Sequence, residues 1–151
     1  VPTLLGNKYF EVTMSVELPE GYEPSEKEEF MNDLQLEYFR RKLVDWKNSI
    51  MNDSRETLSN LQEDSLKEPD IADRASAETD WSVELRTRDR QRKLVLKIDA
   101  ALNRIKEKEY GYCEVSGEQI SLKRLEARPI ATMTIESQER HENHERVHRD
   151  M

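Results

Sequence analysis

The chain is short of most things a compact enzyme needs. It has one cysteine, Cys113, so no internal disulfide can form, which is compatible with a reduced, cytosolic home. There is no apolar run of the roughly 18 residues that would suggest a membrane span, and none is expected. Hydrophobic residues make up 35% of the 151, fewer than the 37% that are charged. That composition leaves a lean core and implies elongated elements with charged faces in water. Neither proline nor glycine occurs between Ala72 and Lys108. Positions 1–13 lack the basic region and long apolar core of a signal peptide; Met14 opens a plausible start, so 1–13 is expected to be an upstream or vector-derived segment.

The formal charge of -8 disfavours broad binding to a phosphate backbone and suits a partner protein with basic surfaces. Disorder would also fit so polar a chain, but Leu, Ile and Val recur at regular intervals in two long stretches. Residues 14–32, with Pro19, Gly21 and Pro24, read as an extended arm, and Ser25 or Asn32 could cap the helix that follows. From about Asp33 to Ser65, Phe39, Leu43, Trp46 and Ile50 form one apolar stripe, with Leu36, Leu58 and Leu61 as further apolar positions. From Ala72 to Lys108, Gln91, Leu94, Ile98, Ala101 and Ile105 form another, which Trp81 and Leu85 extend. Pro69 interrupts the two, so a single continuous helix fits poorly, and a parallel dimer would leave that break without a purpose. The spacing predicts a mostly α protein, a monomer built on a long antiparallel coiled-coil hairpin over 33–108 with its tip near 66–73. Residues 109–135 follow as a compact unit with Val115, Ile120, Leu122, Leu125, Ile130, Met133 and Ile135 as its core. Residues 136–151 form a polar terminal helix.

Charge is unevenly placed. Around the turn, residues 62–80 carry seven acids, Asp70 and Asp73 among them, against Lys67 and Arg74. These could simply cap a helix and keep the turn solvated, or they could enter a site where a metal or basic groups operate. As paired catalytic carboxylates they lack a cleft and a tuned pKa, and no enzyme active site is read here. Between 86 and 97, Arg86, Arg88, Arg90, Arg92, Lys93 and Lys97 face only Asp89. Arginines at alternate positions cannot share one helical face, so they wrap the shaft. A solvated helix, docking on an acidic protein surface and binding of a polyphosphate nucleotide all remain open.

Cys113, Ser116, Thr134 and Ser137 occupy the spacing of a four-cysteine zinc ribbon with only one thiol. Neutral hydroxyls are poor zinc ligands, so no structural metal is expected and a four-thiolate response to oxidants is lost. His144 and His148 are four apart, but neighbouring acids favour salt-bridging or solvation over metal binding.

EEFM at 28–31, PDIADRAS at 69–76, SVELRTRDRQRKL at 82–94 and GYCEVSGEQISLKRLEARPIA at 111–131, with the helical segments between them, resemble the DksA/TraR family of transcription regulators over roughly residues 20–150. The resemblance implies a projecting coiled coil, a globular zinc-finger frame and a C-terminal helix. It also implies binding to bacterial RNA polymerase through the secondary channel, without sequence-specific DNA contact, modulating initiation in the stringent response with ppGpp as effector. Asp70, Asp73 and Ala75 match the family's tip residues and Arg90 a polymerase-binding position. Leu94, Lys97 and Arg128 match positions of its ppGpp site. Gln138 stands where the family carries a lysine that helps bind the nucleotide, which bears on alarmone affinity. Related members without the full cysteine set remain functional, so the degenerate frame bears on metal and redox sensing more than on polymerase. A secondary-channel transcript-cleavage factor and a non-transcriptional coiled-coil adaptor are the competing functions.

Overall fold

A computed structural model describes residues 17–67 and 71–149, with the side chains of 61–67 and 71–77 also left undescribed. Four helices follow in order: α1 (Asp33–Lys67), α2 (Ile71–Lys106), α3 (Leu122–Ala127) and α4 (Ile135–Arg149). Among the described residues there is no β-strand, only an isolated antiparallel bridge between Tyr112 and Gln119. The predicted bounds of the long helices differ from these by two residues or fewer at each end. Residues 1–13, Pro69 and Asp70 lie outside the described residues, and so does the side chain of Leu61.

The chain forms two compact units, to both of which α1 and α2 contribute. The first is Leu43–Ala100, a two-helix unit. Lys47 pairs with Asp99 at 2.7 Å and Ser54 donates a hydrogen bond to Gln91 at 2.6 Å, so numbers rise along α1 as they fall along α2. The helices are therefore antiparallel. Leu43, Ile50 and Ile98 are buried between them, while Trp46, Leu58, Trp81, Gln91 and Leu94 are half-buried. With only one partner, each helix hides a narrow strip and leaves its flanks wet. Leu85 departs from expectation: it is exposed, because it lies on the side of α2 away from Gln91, Leu94 and Ile98.

The second unit joins the described residues up to Lys42 to those from Ala101 onward. Its arm is fastened to the start of α1 by side chains suited to capping. The Asn32 side chain accepts from the Gln35 N–H at 2.9 Å, and the Gln35 side chain reaches back to accept from the Met31 N–H at 2.8 Å. This is a variant of the reciprocal capping box, and buried Met31 and Leu36 occupy the positions of a hydrophobic staple. Gln35 also donates to the Ser25 carbonyl and to Glu28, which accepts as well from the Tyr22 hydroxyl at 2.6 Å and the Asn32 side-chain amide at 3.5 Å. Burial and that hydrogen bond push the Tyr22 phenol up to about 12.

The far end of α2 closes without glycine. Lys108 takes a left-handed conformation, φ 60°, while its N–H bonds the Ile105 carbonyl and the Glu109 N–H bonds Arg104. Those two bonds make a Schellman turn, which swings the chain into Tyr110. Tyr110 is fully buried, lies against Phe39 with ring centroids 5.5 Å apart and planes tilted by 45°, and donates to the Pro129 carbonyl at 2.6 Å. Gly111 follows at φ 93°; a Cβ there would sit 2.9 Å from Met31 Cγ, so any side chain would collide with the arm. Ser121 caps α3, and Glu126 anchors that helix to α1 by accepting from Tyr38 at 2.7 Å and Lys42 at 2.5 Å. Ile120, Leu125, Ile130, Ala131 and Ile105 complete the core. Val115 and Ile135, expected inside, are 70% and 49% exposed. Val115 sits on the turn of a tight loop and Ile135 opens α4, so neither faces the interior.

Candidate functional site

Helical geometry sorts the basic residues of the Leu43–Ala100 unit. Arg86, Arg90, Lys93 and Lys97 are spaced i, i+4, i+7 and i+11, which aligns them on one face at about 100° per residue. All four are exposed, and none has an ion-pair partner among the described residues. Half-buried Leu94 lies beside this stripe, toward the seam. The expectation that the arginines wrap the shaft therefore resolves into one continuous cationic face plus Arg88 and Arg92 on the far side. Four unneutralised charges over about three turns make a surface suited to carboxylates or phosphates.

Of the acidic residues near the turn, Asp70 lies outside the described residues. Asp73 and Ala75 belong to the first turns of α2, and their side chains are likewise outside the described set. In the other unit, Arg128 is exposed at the C-cap of α3, its N–H bonded to the Arg124 carbonyl at 2.7 Å. Gln138, in α4, donates to Glu142 at 2.9 Å. His141 faces Glu145 at 3.3 Å, and the rings of His144 and His148 meet edge-on with centroids 4.2 Å apart.

The degenerate frame converges on one sulfur. Residues 111–120 fold back tightly: the Cys113 N–H bonds the Glu118 carbonyl at 2.7 Å, the Gly117 N–H bonds the Cys113 carbonyl at 2.9 Å, and the Ile120 N–H bonds Gly111 at 2.8 Å. Thr134 caps α4, its hydroxyl accepting from the Ser137 N–H at 3.3 Å. That hydroxyl donates onward to the Ser137 hydroxyl at 3.1 Å. Burial alone would raise the Cys113 pKa. The Ser116 and Ser137 hydroxyls, with the backbone N–H groups of Ser116 and Thr134, outweigh it and lower the thiol to about 6. Three side chains standing where ligands would be thus donate to the fourth, directly or by relay. This donor set does not fit zinc: one thiol, two hydroxyls bonded to it and a third bonded to Ser137 offer no second anionic ligand. Among the described residues, no group of three His, Cys, Asp or Glu is placed to hold a metal.

This arrangement makes a pH prediction. A thiol near 6 in the folded state and about 8.5 unfolded adds stability that is complete above about 8.5 and lost as pH falls through 6. Between pH 7.5 and 5.5 the loss should be about 1–2 kcal/mol. Urea midpoints of wild type and Cys113→Ser at both pH values check it, since carboxylate titration is common to both proteins. Parallel pH dependences would refute the thiolate account.

Two family models match the chain: the N-terminal domain of the DnaK suppressor protein DksA over residues 35–105, and the prokaryotic dksA/traR C4-type zinc finger over 108–143. The RNA polymerase-binding transcription factor DksA of Caulobacter vibrioides is 64% identical over 129 residues, covering 85% of this chain and 91% of that one. The chain belongs to the DksA/TraR family. A DksA from Escherichia coli K12 is 42% identical over 117 residues, covering 78% of each chain. The solved structure of transcription factor DksA2 from Pseudomonas aeruginosa matches with a TM-score of 0.73 at 35% identity, covering 82% of this chain and 94% of that one. The DksA N-terminal model takes in the whole cationic face, and the dksA/traR finger model takes in Cys113, Ser116, Thr134 and Ser137. In this DksA/TraR member the stretch that matches the C4-type finger carries one cysteine, and its backbone turns bring the four positions together. No helix among the described residues is long and apolar enough to cross a membrane.

Sequence reasoning passed over the polar interior. Gln35, Thr134 and Ser137 are buried because each satisfies a helix end or the sulfur. The Asn32-x-x-Gln35 spacing was a usable signal for the first.

Proposed function

We propose that this chain is a transcription regulator that binds RNA polymerase through the secondary channel and modulates initiation, with ppGpp as effector. It acts in the cytoplasm as a monomer, without catalysis and without a structural metal. The observation that carries this reading is the unpaired cationic face Arg86–Arg90–Lys93–Lys97, in a chain 64% identical to a protein named as RNA polymerase-binding. Such a face holds an acidic protein surface while the net charge of -8 discourages independent nucleic-acid binding. Asp70, Asp73 and Ala75 are assigned to the polymerase-modulating tip, and Leu94, Lys97 and Arg128 to the nucleotide. In this division the shaft binds and the tip acts. The finger around Cys113 serves as a hydrogen-bonded structural element, so metal removal leaves function intact.

The testing experiment is initiation by purified RNA polymerase with this protein, with and without ppGpp. Regulation that strengthens with ppGpp supports the full reading; regulation indifferent to it removes the nucleotide and leaves the polymerase contact. Arg90→Ala should weaken polymerase affinity by about five- to tenfold, most at low salt, because one screened contact charge is lost. Equal affinity across a salt series would exclude Arg90 from the interface. Metal-dependent stimulation of RNA cleavage in a backtracked complex would favour a cleavage factor instead.

A further inference from the structure

Residues two apart on a helix point about 200° apart around it, so Arg88 and Arg92 lie across α2 from Arg90. There they meet Arg55 of α1. The three arginines rim a groove of about 310 Å³ whose floor includes Ile50, Leu58 and Val95. None of the three has an ion-pair partner among the described residues. The hydrogen bond between Ser54 and Gln91 ties the two walls together, so the groove is set by the pairing of the helices.

We infer that this groove is a second docking face, which takes an acidic segment of the polymerase carrying an apolar side chain. The inference rests on the proposed function and adds a contact on the opposite side of the shaft from Arg90. Charge complementarity selects the occupant: three guanidiniums around an open groove call for carboxylates or phosphates. The apolar floor then separates the two. A polypeptide can bury a side chain on Ile50, Leu58 and Val95 while its acids reach the rim, whereas a nucleic-acid backbone presents phosphate and sugar to that floor. The acidic balance of the whole chain also works against a free nucleic acid.

Arg55 and Arg92 are exposed, so replacing them with glutamine leaves the seam intact, which circular dichroism would check. The full chain is titrated against core RNA polymerase across a salt series as wild type, Arg90→Ala, Arg55→Gln/Arg92→Gln and all three together. The double variant should bind about tenfold more weakly with a shallower salt dependence, and its effect should multiply with that of Arg90→Ala. If Arg90→Ala weakens binding while the double variant matches wild type, the second face is wrong and the proposed function stands. Wild type that fails to bind polymerase defeats both. A parallel titration with single-stranded DNA decides the remaining case: lost DNA binding with unchanged polymerase affinity assigns the groove to nucleic acid and overturns the inference.

Discussion

Asp73→Asn should leave polymerase affinity within about twofold of wild type while cutting the effect on initiation at least about tenfold, as the proposed division between a binding shaft and an acting tip requires. Asp73 is the third residue of α2, which begins at Ile71. There a carboxylate also favours the positive end of the helix, by about 0.3–1 kcal/mol at an exposed site. Asparagine removes the charge at almost constant volume, so helicity and stability should change by no more than about that amount. The cationic face lies several turns away, from Arg86 onward, and is untouched. Affinity and activity should therefore separate. Matched circular dichroism, binding and initiation assays measure all three; full regulation by Asp73→Asn at saturation would mean that tip charge is not how the protein acts.

The elements legible in the sequence were those governed by period. Phe39, Leu43 and Ile50 in α1 and Ile98, Ala101 and Ile105 in α2 are all buried, as an apolar stripe every three or four residues requires. Trp46 and Leu94 belong to the same stripes but are half-buried, because a two-helix unit has no third element to cover its flanks. Period also placed Arg90 and Lys97 on the second helix, but the expectation that the basic residues wrap the shaft overlooked the i, i+4, i+7, i+11 spacing that sets Arg86, Arg90, Lys93 and Lys97 on one face. Where period ends, legibility ends. Residues 109–135 contain one helix of six residues, so nothing in their pattern separated buried Ile120 and Leu125 from exposed Val115. The sequence set Cys113, Ser116, Thr134 and Ser137 in a zinc-ribbon spacing with only one thiol. What spacing could not show is that hydroxyls unsuited to zinc are well suited to donate to a lone thiolate.

Phe39→Ala should be the most damaging single substitution in the core, costing about 3–5 kcal/mol. Phe39 has no exposed surface, and its ring lies 5.2 Å from Tyr38 and 5.5 Å from Tyr110. Tyr110 in turn is tied to Pro129 by its buried hydroxyl, and Tyr38 to Glu126 on α3. Neither neighbour can collapse into the vacated space without giving up a hydrogen bond, so the cavity stays largely open and the cost falls at the upper end. A domain has only about 5–15 kcal/mol in total, so the variant should be close to unfolding at 37 °C. The two units carry separate reporters. Trp46 and Trp81 belong to Leu43–Ala100, whereas Tyr22, Tyr38, Tyr110 and Tyr112 belong to the unit that holds Phe39. Urea unfolding should therefore show the tyrosine near-ultraviolet signal lost first and tryptophan fluorescence shifted less. Trp46→Ala, at a half-buried position, should cost under half as much. Coincident shifts of both reporters would show that the units unfold as one, and a shift below about 1 kcal/mol would deny Phe39 its place at the centre of the core.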